Sequence, residues 1–252
     1  MSLTAVYQNE LKRTRTAVAN ALRTNWRALP DYRDGQVDRF VGRVVPLVEA
    51  GQRRAVTLTD AYLSKKLGVQ PLGLQATDLV GAAVRKGMDP SVVYARPFTT
   101  VWTSIEKIGF NAAVEKGLSR LMSTADMDVA LSTRAAAGAY SAQSGRANGF
   151  YRRADPGCCD FCLSIDGAFV LNADASPLHN RCGCTLEEAD GRGSAEFPSF
   201  APGSVIGDMR IEDHGELGAL ITAKADNFTS LADLPSHYKH VLAVAEKEFG
   251  QP

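Results

Sequence analysis

No stretch of this chain approaches the ~20 consecutive apolar residues that a membrane-spanning helix needs, so no transmembrane segment is expected. The opening residues, MSLTAVYQNELKRTR, carry charges within a dozen positions and lack the apolar centre of a secretory signal. The expectation is a protein made and folded in a reducing cytoplasm. Net charge is lacking as well. Lys and Arg number 28 and Asp and Glu number 28, so the formal charge is zero and nothing global attracts nucleic acid or an anionic membrane. Nucleotide-binding signatures are missing too. The GRG at Gly191–Gly193 has neither a following helix nor the full dinucleotide fingerprint, and there is no Walker A lysine motif. The hydrolytic patterns H-E-x-x-H and G-x-S-x-G and the deaminase pattern H-x-E…P-C-x-x-C do not occur.

Cysteine and histidine are scarce, with 5 and 4 copies in 252 residues, yet they are concentrated. Cys159, Cys162, His179, Cys182 and Cys184 form the pattern C-x2-C…H-x2-C-x-C. In a reducing compartment such a cluster points to metal ligation or a catalytic thiol before disulfides, and an odd count argues in the same direction. C-x2-C is the turn spacing that lets two thiolates face one ion, and His179 with Cys182 supplies a second short pair. The segment between them is long enough to fold back as a hairpin. Thiolate and imidazole together select tetrahedral Zn²⁺, so a closed structural zinc site is expected, with four of the five candidates as ligands. Cys182 and Cys184 alternate along an extended chain and can face the same side, which leaves the choice between them open.

A catalytic reading has less to work with. Cys158 has His179 or His214 as a base, but a reactive thiol beside a metal ligand would be captured or oxidised, and no catalytic residue is assigned. His237 and His240, three apart, fit a solvated helix face, and Asp213-His214 with Gly215-Glu216 fits a loop or turn entering the next helix. Arg146, Arg152 and Arg153, interleaved with Phe150 and Tyr151, form a small basic patch. Three arginines give only a weak, salt-sensitive nucleic-acid contact, and a solvated or partner-facing edge is the plainer reading.

Around this cluster the pattern is helical. Leu11, Val18, Leu22, Trp26 and Leu29 share one helix face. A second stripe, Val37, Phe40, Val41, Val44, Val48, Ala55, Leu58 and Tyr62, follows Asp34 and keeps its phase across Pro46, where a kink or split is expected. Gly68 supplies a C-terminal stop. A short helix is expected near Ala76–Lys86, a third long helix from Pro97 as its N1 residue, and a fourth over Ala125–Ala142 capped by Ser123 and Asp126. Apolar runs at Ala168–Leu171 and Val205–Ile211 suggest small strands. Gly191–Gly203 reads as a loop, and Ser236 caps a terminal helix over His237–Phe249. The expected fold is mainly α: an elongated helical bundle over residues 1–144, a small zinc-stapled α+β module over 145–190, and a loop with a C-terminal helical tail over 191–252.

The run RADPGCCDFCLSIDGAFV…PLHNRCGC resembles the Mu F-like (phage head morphogenesis) domain, with Asp155, Cys159, Cys162, Asp166-Gly167, Phe169, Pro177, His179, Cys182 and Cys184 matching in order. Glu212–Leu220 resembles the C-terminal part of versions from phages of actinobacteria. The motif covers about 35 residues, and a looser resemblance covers most of the chain. The resemblance implies a minor capsid protein of a tailed bacteriophage, located in the virion at the portal or inner head after assembly in the host cytoplasm. Its implied partners are portal and major capsid proteins, with scaffold and packaged DNA as further contacts and no membrane. The competing expectations are a head maturation protease and a zinc-containing DNA-binding module.

Overall fold

The structure, a computed structural model, describes residues 2–145, 149–155, 158, 162–163, 166–170, 183–188, 210–213 and 219–222. Helix α1 (Leu3–Arg27) starts where the Ser2 hydroxyl accepts the Ala5 N–H at 3.2 Å, which satisfies one of the donors a helix start leaves open. Its buried apolar face is Tyr7, Leu11, Val18, Leu22 and Trp26; Leu29, the last member of the stripe read from the sequence, is buried just beyond the end of the helix. Helix α2 (Asp34–Leu67) runs unbroken through Pro46 and ends at Gly68, which is left-handed at φ 68°. The Val69 N–H returns to the Ser64 carbonyl at 2.9 Å, the closing bond of a Schellman stop. Packing of Phe40, Val44, Val48, Ala55 and Tyr62, all nearly inaccessible to solvent, holds α2 as one helix despite the hydrogen bond lost at Pro46.

Three expectations for the helices need correction. Helix α3 spans Pro90–Ile108, so it starts seven residues before Pro97. Asp89 is its N-cap, accepting the Ser91 N–H at 2.8 Å, and Pro90 takes the first-turn position that tolerates a missing N–H. Pro97 lies buried inside the helix. Helix α4 is a single element, Phe110–Ser144. The Asp126 carboxylate that resembled a cap partner instead binds Arg15 of α1 through Nε at 2.6 Å and Nη2 at 2.5 Å. The expected helix near Ala76–Lys86 is two 3₁₀ turns, Ala76–Leu79 and Ala83–Arg85. Among the described residues no helix is long and apolar enough to cross a membrane.

The four helices form a mainly α bundle around one apolar core. At its centre the Trp26 ring lies 4.9 Å from Tyr32, 5.4 Å from Phe40 and 5.1 Å from Phe98, tilted or edge-on as aromatic quadrupoles prefer. Gly117 lets α4 approach: a Cβ there would lie 2.7 Å from Val101 Cγ2 and 2.9 Å from the Pro97 carbonyl oxygen. A buried polar network stitches the layers. Gln52 of α2 donates to the Asp128 carbonyl at 3.2 Å and accepts the Gly81 N–H at 3.0 Å. The Asp128 carboxylate accepts Arg85 Nε at 2.5 Å and the Tyr94 hydroxyl at 2.6 Å. Asp60 organises the chain leaving α2 by accepting the N–H groups of Leu72, Gly73 and Leu74.

Beyond α4 lies a three-stranded antiparallel sheet in the order β2-β1-β3. Strand β1 (Phe150–Arg153) pairs with β2 (Phe169–Val170) and with β3 (Thr185–Glu188), placing Arg153 opposite Thr185 and Phe150 opposite Glu188. Phe150 and Leu186 join the bundle core, which seats the sheet on the helices. Strand β2 lies inside the apolar run Ala168–Leu171. A separate hairpin pairs β4 (Arg210–Asp213) with β5 (Ala219–Thr222). Strand β4 begins near the end of the expected Val205–Ile211 run, and the element after Asp213-His214 is a strand where a helix was expected, as suits the run Leu220-Ile221-Thr222. The loop Gly191–Gly203 and the helix His237–Phe249 fall outside the described residues.

Candidate metal centre

The antiparallel pairing of β1 and β3 builds the floor of this site. Because Arg153 faces Thr185, the residues leaving the sheet at that end, Ala154 on one strand and Cys184 on the other, emerge side by side. The Asp155 carbonyl accepts the Cys158 N–H at 2.8 Å, turning the chain sharply after β1. Further on, the Asp166 carboxylate accepts the Ala154 N–H at 2.7 Å. Gly167, left-handed at φ 78°, donates its N–H to the Arg152 carbonyl at 2.8 Å. The Asp166-Gly167 pair therefore closes the loop that carries Cys162 back onto the strand from which it left.

That closure brings two of the candidate ligands together. Cys162, 1% exposed, and Cys184, 8% exposed, form a buried cluster against which Ala154 and Cys158 pack. The three described cysteines form no disulfide with one another. Beside them Gly183 lies close against the Asp155 side chain, where a Cβ would stand 2.6 Å from Asp155 Oδ2 and 2.9 Å from its Cγ. Cys159, His179 and Cys182 lie outside the described residues, as do Arg146 and His214. Among the described residues no group of three or more His, Cys, Asp and Glu side chains is arranged to hold a metal ion. Two thiols buried in one cluster are donors of the soft kind that zinc selects.

Comparison with protein-family models, with curated proteins and with solved structures finds no match to this chain.

The two described arginines of the basic patch are not a solvated edge. Arg152 is 3% exposed beneath the sheet. Arg153 forms an ion pair with Glu187, which also pairs with Lys66 of α2. Burial pulls the Glu187 carboxyl up, but hydrogen bonds and charge from Lys66 and Arg153 outweigh it and hold the group below the usual carboxylate range. Next to this pair Tyr7 and Tyr62 stack with ring centroids 4.2 Å apart, and burial pushes the Tyr62 hydroxyl up to about 12.

Sequence reasoning missed the residues by which the bundle grips the sheet. Gln8 of α1 and Lys66 of α2 reach it from 145 and 121 residues away or thereabouts along the chain, at distances no local motif encodes. The strands Phe150–Arg153 and Thr185–Glu188 were missed for a related reason: each is half charged, and those charges pair across the sheet and with α2.

Proposed function

We propose that this chain is a structural minor capsid, or head morphogenesis, protein of a tailed bacteriophage that docks on the portal and inner capsid and performs no catalysis. The observation that carries the docking role is an apolar end to the bundle. Trp102, Ile105, Ile108 and Phe110 are 40%, 38%, 46% and 52% exposed, and Trp102, Ile105 and Phe110 face, across a groove, Leu29, Pro30 and Tyr32 of the α1–α2 connection, with Asp31, Arg33 and Asp34 at its charged side. Contiguous exposed apolar surface on a folded domain marks an interaction site. The Mu F-like resemblance of the cysteine motif supplies the identity of the partner. The burial of Arg152 and the pairing of Arg153 weigh against a DNA-binding module.

Within this reading Zn²⁺ is the resident ion. Cys162 and Cys184 are two of its ligands, and two of Cys159, His179 and Cys182 complete the set. Zinc would tie together a loop-rich module whose own core is small.

The test is capture of purified chain by its cognate portal protein, with wild type beside Trp102→Asp/Phe110→Asp. The expected outcome is capture by wild type and at least tenfold weaker capture by the variant, with helicity unchanged. Equal capture of both would remove the apolar end as the docking face. Cleavage of capsid protein by wild type that is lost in Cys158→Ser would replace the structural role with a protease.

A further inference from the structure

Gln8 sits 9% exposed on the inner face of α1, under the end of the sheet from which the cysteine loops emerge. Its side-chain amide nitrogen donates to the Ala154 carbonyl at 3.2 Å, to Thr185 Oγ1 at 3.2 Å and, at 3.5 Å, to the Arg153 carbonyl. Two amide hydrogens are thus shared among three acceptors on two strands. The acceptors are not scattered. Arg153 and Thr185 are directly opposed in the β1–β3 ladder, Ala154 packs in the Cys162–Cys184 cluster, and Thr185 is the residue after Cys184.

We infer that Gln8 is a positioning residue for the candidate metal centre, setting from the bundle the separation of the β1 end, where Ala154 packs against the two thiols, from the β3 end, which follows Cys184 directly. This rests on the zinc reading proposed above. The physical demand comes from the ion. Tetrahedral zinc fixes its Zn–S bonds near ~2.3 Å, so the placing of its donors bears directly on how tightly the ion is held. Strand ends leaving a short sheet fray, and β1 and β3 are four residues each. A buried donor that bonds both ends suppresses that fraying, and it is held by a helix rather than by the loop it positions. Residues outside the ligand set that orient ligands in this way change metal affinity without touching the metal.

The experiment uses the full chain in reducing buffer, with zinc affinity read by competition against a chromophoric chelator and ligand geometry read from the absorption of the cobalt-substituted protein. Gln8→Met keeps side-chain length and removes the donor, and Thr185→Val removes one acceptor from the opposite side. Each is expected to weaken zinc about 5- to 10-fold, the effect of losing one or two modest hydrogen bonds, and to shift the cobalt ligand-field bands. The losses should fail to add in the double variant, because both single changes break the same bond. Tyr94→Phe removes a buried hydrogen bond within the bundle; it should lower the urea midpoint and leave zinc affinity and the cobalt spectrum as in wild type. Wild-type zinc affinity and cobalt spectra in both Gln8→Met and Thr185→Val would overturn the inference while leaving the zinc reading intact. Equal weakening of zinc by Tyr94→Phe would also overturn it, by reducing Gln8 to general stability. A wild-type chain that takes up neither zinc nor cobalt would overturn the metal reading, and the inference with it.

Discussion

Replacing Asp128 with alanine should be among the most damaging single changes to the bundle. The carboxylate is 4% exposed and holds two partners on different elements, Arg85 at the end of the second 3₁₀ turn and Tyr94 on α3. Removing one member of a buried charged pair typically costs about 3–5 kcal/mol, because the remaining charge stays without compensation. Here the Arg85 side chain is 19% exposed and can recover some water, whereas the Tyr94 hydroxyl is buried and cannot. The lower end, about 3 kcal/mol, is therefore expected for Asp128→Ala, a large share of the ~5–15 kcal/mol that stabilises an ordinary domain. Urea unfolding followed by helical circular dichroism measures it. The dependence on pH has a definite sign. Burial raises the Asp128 carboxyl above its usual range, and Arg85 and Tyr94 offset this only in part. A group raised on folding contributes stability that is present at low pH and lost as pH rises through the folded value. Asp128→Asn, which cannot ionise, should lack that decline, so its deficit against wild type should be greatest at acid pH and narrow towards neutrality. A cost below about 1 kcal/mol for Asp128→Ala, or a deficit for Asp128→Asn that widens as pH rises, would refute the assignment of Asp128 as a buried organising carboxylate.

Gly117→Ala should destabilise the bundle although alanine is the better helix former: overpacking against Val101 Cγ2 and the Pro97 carbonyl oxygen costs about 1–3 kcal/mol, against about 1 kcal/mol gained in propensity, and a rise in thermal midpoint would contradict the crossing described. Glu187→Gln should behave oppositely to Asp128→Asn with pH. Because the Glu187 carboxyl is held below its usual range, the stability it contributes is present above the unfolded value near ~4.3 and is lost as pH falls through the folded one. The gap in urea midpoint between wild type and Glu187→Gln should therefore be open at pH 6 and closed well below pH 4, and a gap independent of pH would count against the Lys66–Glu187–Arg153 ion pairs.

The first two helices were legible because their evidence is local. The apolar stripe of α1 and the phase kept across Pro46 are properties of neighbouring residues, and Gly68 stops α2 through its own backbone freedom. The start of α3 was legible in principle from Asp89-Pro90, a cap followed by a first-turn proline, but Pro97 offered the same signal seven residues later. The unity of α4 was not legible. Ser123 and Asp126 have the spacing of a cap, and only a partner on α1, Arg15, shows what the carboxylate does. The candidate site divides in the same way. The cysteine and histidine spacing and Asp166-Gly167 stand in the sequence as a motif, and the structure gives the Asp-Gly pair a concrete task in closing the Cys162 loop. The apposition of Cys162 with Cys184, the approach of Gly183 to Asp155 and the reach of Gln8 depend on strands whose charged residues, Arg152, Arg153 and Glu187, disguised them as surface.

Helices α3 and α4 meet at one residue, Gly109, whose φ of 78° and ψ of 164° reverse the chain with no loop between them. Mechanically this makes a knuckle with no slack. Ile108 and Phe110, the flanking residues, both face outward, so a body seated on the apolar end would bear directly on the joint. At ~1.5 Å per residue, the 35 residues of α4 make a strut roughly 50 Å long. Its far half borders the segment Gly183–Leu186 at Thr133, Arg134 and Ala137. The knuckle and the wall beside the cysteine cluster therefore stand on one uninterrupted helix.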